Sequence, residues 1–478
     1  MVMDVMDEAN DHIQKASIAT AIFSQLNQEQ VDKIVKAVAE AGFNQRVYLA
    51  KLAAEETGLG VWQHKVIKNV VATQLVYEDI KNQKTVGVIS YDERTGIIEV
   101  AQSYGPILAV IPTTNPTSTV LFKVLICLKS RNPIIISPHP RAEKCCKETA
   151  RICYEAALAA GAPDDCIQIV EHSSRELTNA LMHHPHLGLI LATGGPALVK
   201  AAYSSGNPAI GVGPGNVPVF IEKTADIPFA VESILTSKTF DNGTICASEQ
   251  SIIVEEEIDF DVRRAFEHQG GYFLSDEEIK KITPCVIDPK TGLMSPEVVG
   301  QPVSKLIEMA GLRLPKSIRL LLAPVEKIGA EEPLSKEILA PILSYYVRRN
   351  FDEAVKACID LNHSGGLGHT ASIYSNDENK IALFCDMVDA GRVVINTPSS
   401  QGAVGGIFNM LTPSLTLGCG AGGKNITAEN ITAKHLINIK RCAHRRNNEK
   451  LMRMLPQDKY LDEKFTLEDI LLLYNKNF

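Results

Sequence analysis

Leu189-Ile-Leu-Ala-Thr-Gly-Gly-Pro-Ala-Leu-Val-Lys200 passes from a short apolar run through a glycine pair into a segment with helical apolar spacing. Leu189 to Ala192 reads as a strand, Thr193-Gly194-Gly195 as a turn, and Pro196 as the first helical residue, where its missing N–H leaves nothing unpaired. Three units of the same order precede it: Ile107 to Ile111 then Ser118 to Leu128, Pro133 to Ser137 then Ala142 to Ala160, and Ile167 to Val170 then Ser174 to Met182. Short apolar strands separated by helices of this length require parallel pairing with right-handed crossovers, which predicts a doubly wound α/β sheet. Gly194 and Gly195 would let a pyrophosphate approach the positive end of the helix, although Gly-Gly also makes ordinary turns. Gly211-Val-Gly213-Pro-Gly215-Asn216 offers a second glycine pattern, but a dinucleotide fingerprint needs a strand before it and a helix after it. A strand, Val217 to Glu222, follows instead, so that reading is rejected.

Upstream, apolar residues recur at helical spacing from Gln14 to Thr57 (Ile34, Val35, Val38, Leu49, Leu52, Ala53), predicting two amphipathic helices broken at Ala41-Gly42. Helix resumes from Val61 to Ile80. Between Thr85 and Tyr104 the period changes: Val86, Val88, Ser90 and then Ile97, Ile98, Val100 flank the turn Asp92 to Gly96, a β-hairpin pattern. Downstream, a second α/β series starts near Phe240 and takes in Ser251 to Val254, Leu320 to Ala323, Ile342 to Val347 and Ala371 to Tyr374. A charged, mostly helical stretch, Asp259 to Leu312, interrupts it. This divides the chain into 1–239 (nucleotide-binding, with the hairpin 85–104), 240–425 (catalytic), a return segment 426–446 and a tail 447–478. In the tail, Leu467, Ile470, Leu471 and Leu472 mark a surface helix, and Phe465 to Leu473 is a candidate docking helix.

At 478 residues the chain exceeds what one hydrophobic core organises. A formal net charge of -8 argues against general affinity for nucleic acid or anionic membrane. Asp4, Asp7, Glu8 and Asp11 lie where a secretory signal would have its apolar core, and no apolar run approaches the ~20 residues that span a bilayer. Eleven cysteines without framework spacing fit a reducing cytoplasm, and neither Cys145-Cys146 nor Cys166 has a CxxC partner for a metal.

One cysteine stands apart. Phe240-Asp-Asn-Gly-Thr-Ile-Cys-Ala-Ser-Glu-Gln250 is a short polar segment between a helical and a strand pattern, where loops present reactive groups on a rigid scaffold. Asn242, Gly243 and Thr244 supply a tight turn before Cys246, whereas Cys127 and Cys358 sit in apolar helical patterns and read as core.

Together with Ile111-PTTNPT-Ser118, Ser137-PHPR-Ala142, Leu191 to Gly206 and Pro413-SLTLGC-Gly420, this segment closely resembles the CoA-acylating aldehyde dehydrogenases, nearest to the aldehyde dehydrogenase half of bifunctional aldehyde/alcohol dehydrogenases. The resemblance covers about Asn27 to Arg446. It implies an aldehyde dehydrogenase-like fold with a β-hairpin oligomerisation element, hence a homo-oligomer, dimer or tetramer. Cys246 is implied as the nucleophile, Asn115 with the Cys246 backbone N–H as donors to the oxyanion, and His369 as an acid/base candidate. Ile111, Ser137, His139, Gly194, Gly195, Gly213, Glu337 and Leu417 match cofactor-lining positions, with Glu337 holding the nicotinamide ribose. NAD is the implied cofactor. Arg141, and the lack of a carboxylate from Ser137 to Pro140, leave NADP open.

Hydrolytic members carry a general-base glutamate where this chain has Val212, so coenzyme A, rather than water, is the implied acceptor of the thioester. Acetaldehyde leads as substrate, with sulfoacetaldehyde and succinate semialdehyde next. Two other readings stand beside this one: a hydrolytic dehydrogenase giving free acid, and a noncatalytic assembly protein. The chain stops at Phe478, without the iron-dependent alcohol dehydrogenase of the bifunctional enzymes, so alcohol formation is not expected. Gly420-Ala-Gly-Gly-Lys-Asn425 departs from the Ser-Trp-Gly-Gly-Asn pattern of those enzymes. The resemblance also admits microcompartment association, weakly supported here because no separate N-terminal extension precedes the first domain helix.

Overall fold

A computed structural model describes residues 4–444 and 461–475. Contacts divide the chain into a large unit, 1–85 with 103–437, and a small one, 86–102 with 438–478. In the small unit, strands β1 (Gly87–Asp92) and β2 (Ile97–Ser103) form the expected antiparallel hairpin, closed by the Gly96 N–H donating to the Asp92 carbonyl at 2.8 Å. A third strand from the return segment, β15 (Ile437–Ala443), lies beside β2. The helix Leu467–Asn475 falls in the tail as expected, while residues 445–460 of the return segment and tail lie outside the described residues.

The large unit holds two parallel sheets. The first comprises β3 (Ile107–Ile111), β4 (Ile134–Pro138), β5 (Ile167–Ile169), β6 (Leu189–Thr193) and β7 (Ala209–Val212), in the order β5-β4-β3-β6-β7. Strand order reverses between β3 and β6, the switch point at which such sheets open a crevice beyond their carboxyl ends. The second sheet comprises β8 (Val217–Ile221), β9 (Glu249–Glu255), β10 (Gly271–Phe273), β11 (Leu320–Pro324), β12 (Ile342–Arg348), β13 (Gly368–Tyr374) and β14 (Ala390–Ile395). Its order is β10-β11-β12-β9-β8-β13-β14. The central strands β3, β4 and β8 are buried along their whole length, as strands inside a parallel sheet are. Residues 213–216 join β7 to β8, strand to strand, which is why their glycines never open a helix.

Two expectations shift. The second sheet begins with β8 and the helix Ile227–Thr239, ahead of the boundary placed at residue 239; β8 pairs with both β9 and β13. Near the start, helices run Val5–Phe23, Gln28–Asn44 and Arg46–Thr57, so the break falls at Gln45 and not at Ala41-Gly42. Gly42 stays helical because another helix crosses there: a Cβ on it would lie 2.6 Å from Leu121 Cδ2 and 2.9 Å from Thr73 Cγ2. The glycine is a contact point, and its cost in helix propensity is offset by packing. The helix expected from Val61 to Ile80 is Trp62–Val70, one π-helical turn Val71–Leu75, then Val76–Ile80. Among the described residues no helix is long and apolar enough to cross a membrane.

Candidate active site

Cys246 lies in the short link between a tight turn, Phe240–Gly243, and β9. Asp241, Asn242 and Gly243 all adopt positive φ (49°, 53° and 76°), an arrangement that Asp, Asn and Gly tolerate better than other residues. What holds two non-glycine residues there is the Asp241 carboxylate, which is fully buried and multiply bonded. Its Oδ1 accepts from the Val61 N–H at 2.6 Å, and its Oδ2 from Lys65 Nζ at 3.0 Å, Lys68 Nζ at 2.5 Å and Thr244 Oγ1 at 2.8 Å. The Asp241 N–H donates to His64 Nδ1 at 2.8 Å. Burial alone would push the Asp241 carboxyl up, but the two ammonium groups outweigh it and hold its pKa below the ordinary value. Burial pulls Lys68 down to about 8, against the opposing pull of Asp241.

Asn115 follows β3 and precedes the helix Pro116–Lys129. Its Oδ1 accepts from Lys68 Nζ at 2.5 Å, and its Nδ2 donates to Thr114 Oγ1 at 3.0 Å and toward the Thr244 carbonyl at 3.5 Å. The structure therefore brings Asn115 against the segment that carries Cys246. Cys246 itself is half-buried. Burial, then the Glu337 carboxylate and the Cys419 thiol, push its pKa up to about 12, with Arg392 opposing.

Glu337 reaches the same place from the other side. Its Oε1 accepts from the Gly215 N–H at 3.0 Å, and burial raises it to about 7. Gly215 is wedged between backbone and ring: a Cβ would sit 2.3 Å from the Cys246 carbonyl oxygen and 3.0 Å from His369 Nδ1. His369 is buried; its Nδ1 pairs with Thr370 Oγ1 at 2.9 Å, and its Nε2 has no partner among the described residues. Burial and the nearby Arg392 lower His369 to about 3, so the ring is neutral at physiological pH. Arg392 donates to the His369 carbonyl at 2.8 Å and also to the Gly418 carbonyl, tying β13 to the 417–419 turn.

The cofactor candidates fall in two groups. Ile111, Ser137 and His139 cluster at the carboxyl ends of β3 and β4: Ser137 pairs with Val110, the His139 N–H donates to the Ile111 carbonyl at 3.1 Å, and Ser137 Oγ bonds Thr178 Oγ1 at 2.8 Å. Gly194 and Gly195 follow β6 across the switch point, with Gly195 capping the helix Pro196–Tyr203. The Gly194 N–H donates to the Val212 carbonyl at 3.2 Å, and a Cβ on Gly195 or Gly213 would meet nothing within 4 Å. Thr193 Oγ1, at the end of β6, is buried without a partner among the described residues. Open glycines, a helix N-terminus and an unpaired hydroxyl at one sheet edge fit a dinucleotide. Leu417 is elsewhere, in an apolar cluster with Val71, Phe240, Ile245 and Val404. Val212 is buried and apolar at the end of β7, paired with Thr193.

Sequence reasoning missed the buried cations. Lys65 and Lys68 sit three residues apart on the helix Trp62–Val70, a spacing that places both on one face. Lys123 lies in a helix every residue of which is buried, and its Nζ donates to the Val110 and Leu191 carbonyls, at 2.8 Å each, across β3 and β6. For Lys123 the available signal was a charge inside an apolar helix; Lys65 and Lys68 share their buried face with Asn69, and no apolar pattern marks it. Among the described residues no group of His, Cys, Asp and Glu could hold a metal.

The two parallel sheets thus carry a cysteine in the link before β9 and, on the other sheet, a switch-point edge with open glycines. The aldehyde dehydrogenase family model matches residues 4–269, and the chain belongs to that family. It is 46% identical over 464 residues to the bifunctional aldehyde-alcohol dehydrogenase of Escherichia coli K12, covering 96% of this chain and 52% of that protein. The chain thus spans about half the length of this curated relative. An acetylating aldehyde dehydrogenase structure from Geobacillus thermoglucosidasius is 45% identical, with a TM-score of 0.90 over 93% of this chain and 98% of its own. A propionaldehyde dehydrogenase structure from Rhodopseudomonas palustris, with bound CoA and an acylated cysteine, is 28% identical, with a TM-score of 0.83 over 91% of this chain and 97% of its own.

Proposed function

We propose that the chain is a CoA-acylating aldehyde dehydrogenase that converts an aldehyde, CoA and NAD to acyl-CoA and NADH through a thioester on Cys246. The observation that carries this reading is the Asn115 amide donating toward the Thr244 carbonyl, two residues before Cys246, with apolar Val212 at the end of β7 where the resemblance puts the base of hydrolytic relatives. The relatives named acetylating, and the structure with CoA and an acylated cysteine, support it.

Attack by the Cys246 sulfur as thiolate, its S–H proton lost to solvent, makes a C–S bond, breaks the carbonyl π bond and leaves an oxyanion, for which Asn115 Nδ2 and the Cys246 N–H are the proposed donors. A nicotinamide bound at the carboxyl edge of the first sheet would take up the hydride. Gly194, Gly195 and the helix beginning at Pro196 would receive its pyrophosphate, Ser137 and His139 border the adenosine end, and Glu337 and Gly213 the nicotinamide end. NAD is the proposed acceptor, with NADP left open by Arg141. A CoA thiol then attacks the acyl carbon and displaces the Cys246 sulfur, which is easier than attack by a water that lacks a glutamate at residue 212 to activate it. His369, neutral and with a free ring nitrogen, is the acid/base candidate beyond Gly215. Glu337, raised to about 7, favours the hydrolytic alternative if its carboxylate can reach water.

A cavity of about 20 Å³ is lined by Ile67, Phe240, Ile245, Val404 and Leu415, with the polar Gln401 and Lys68 among its walls. Acetaldehyde is proposed first among the substrates, as the relative named acetylating supports. With purified protein, acetaldehyde and NAD, NADH should appear only as a burst of about one per active site until CoA is added. Acetaldehyde should then outpace succinate semialdehyde and sulfoacetaldehyde in kcat/KM. Sustained turnover to free acid without CoA would make the chain a hydrolytic enzyme.

The reading includes a homo-oligomer. Strand β1 is the edge of its sheet, with Val88 and Tyr91 exposed, and an open edge invites pairing with a second copy. Sedimentation should give a dimer or larger species. A monomer at micromolar concentration would remove this part.

A further inference from the structure

Two lysines of the helix Trp62–Val70 grip the loop before the helix Pro116–Lys129. Lys65 Nζ donates to the Thr114 carbonyl at 3.1 Å, and Lys68 Nζ to Asn115 Oδ1. Both are anchored on the same Asp241 carboxylate. An ammonium group has only donors, so the Asn115 side chain must turn its oxygen toward Lys68. Its Nδ2 is then directed to the other side, where it meets Thr114 Oγ1 and the Thr244 carbonyl, two residues before Cys246. Without that constraint the amide could rotate by half a turn and present an oxygen, which would repel a developing oxyanion instead of binding it. The Lys68 side chain is buried, its other partners are Asp241 and Thr244, and its ammonium lies 5.8 Å from the centroid of the Phe240 ring.

We propose that Lys68 is a positioning residue, which fixes the Asn115 amide so that its N–H faces the reacting carbonyl. The inference rests on the reading of Asn115 as an oxyanion donor. Lys68 does not touch the substrate's reacting atoms. It acts through Asn115, and its own place is set by Asp241 and Thr244.

The test is a double-mutant cycle in kcat, with KM for acetaldehyde and melting temperature measured on each variant. Asn115→Ala should lower kcat by about 10²-fold, the size expected for one lost oxyanion donor. Lys68→Met keeps the chain length, removes the donor and should lower kcat at least about tenfold, with KM within about twofold, because the lost interaction belongs to the transition state. Lys68→Met,Asn115→Ala should be no slower than Asn115→Ala alone. Lys68→Gln, which keeps a neutral N–H donor, should recover part of the Lys68→Met loss. If Asn115→Ala leaves kcat unchanged, the oxyanion reading fails and the inference goes with it. If Asn115→Ala is slow and the two losses multiply in the double variant, the oxyanion reading stands and the positioning role is overturned. Should Lys68→Met not fold, the same cycle run with Lys68→Leu, which also lacks a donor, decides between these outcomes.

Discussion

Cys246→Ala should lose at least about 10³-fold in turnover while melting temperature and oligomer size stay where they were, because a lost nucleophile has no substitute in a covalent mechanism. Among the described residues no second thiol stands ready to take over. Cys419 is buried, its Sγ donates to the Leu417 carbonyl at 3.3 Å, and burial lifts it to about 11. The expected stability is equally specific: Cys246 is half-buried and its neighbours are held by the Asp241 cluster, not by its sulfur. Initial rates of NADH formation with CoA present, beside a thermal melt, check both halves. Undiminished turnover would eliminate Cys246 as the attacking group.

Asp241→Ala should be the most damaging change to stability, by about 3–5 kcal/mol, the usual penalty for stripping one partner from a buried ion pair. Here one carboxylate serves two buried ammonium groups, so its removal leaves Lys65 and Lys68 facing each other without an anion. It also frees the turn that needs positive φ at residues 241 and 242. Asp241→Asn keeps the shape and should cost most of the same amount, since charge rather than volume is at issue. Urea unfolding of both variants measures this; a loss below about 1 kcal/mol would show the cluster to be incidental. The carboxyl of Asp241 is depressed in the folded state, so its contribution is present above the unfolded-state pKa and disappears as pH falls through the lower folded value.

β3 to β6 of the first sheet were readable because each unit is local, a strand, a turn and a helix close together in sequence, with Pro196 and the glycines marking the joint; β7, which no helix follows, was not. The second was readable only in part. β10 has three residues and β14 carries Gly391 and Arg392, so neither shows a continuous apolar run, and β8 was detached from its sheet because the partners β9 and β13 come later in the chain. The candidate nucleophile announced itself by turn chemistry around Cys246. Asp241, in the same quoted segment, did not: its importance lies in lysines some 175 residues earlier, and no local pattern encodes a contact of that span. Ala41-Gly42 misled for the opposite reason, since a glycine chosen for close helix contact looks the same in sequence as one chosen to end a helix.

The wide turn at Val71–Leu75 has a further consequence for how this part of the molecule tolerates change. A π turn accommodates one more residue than the regular spiral around it, so the chain on its two sides is joined out of phase. Removing a single residue there would let the spiral tighten and swing Val76–Ile80 by about 100° relative to the lysine-bearing half. At this one place the number of residues, more than their identity, aims the two halves of the rod, and a substitution that preserves length would be felt less than any deletion.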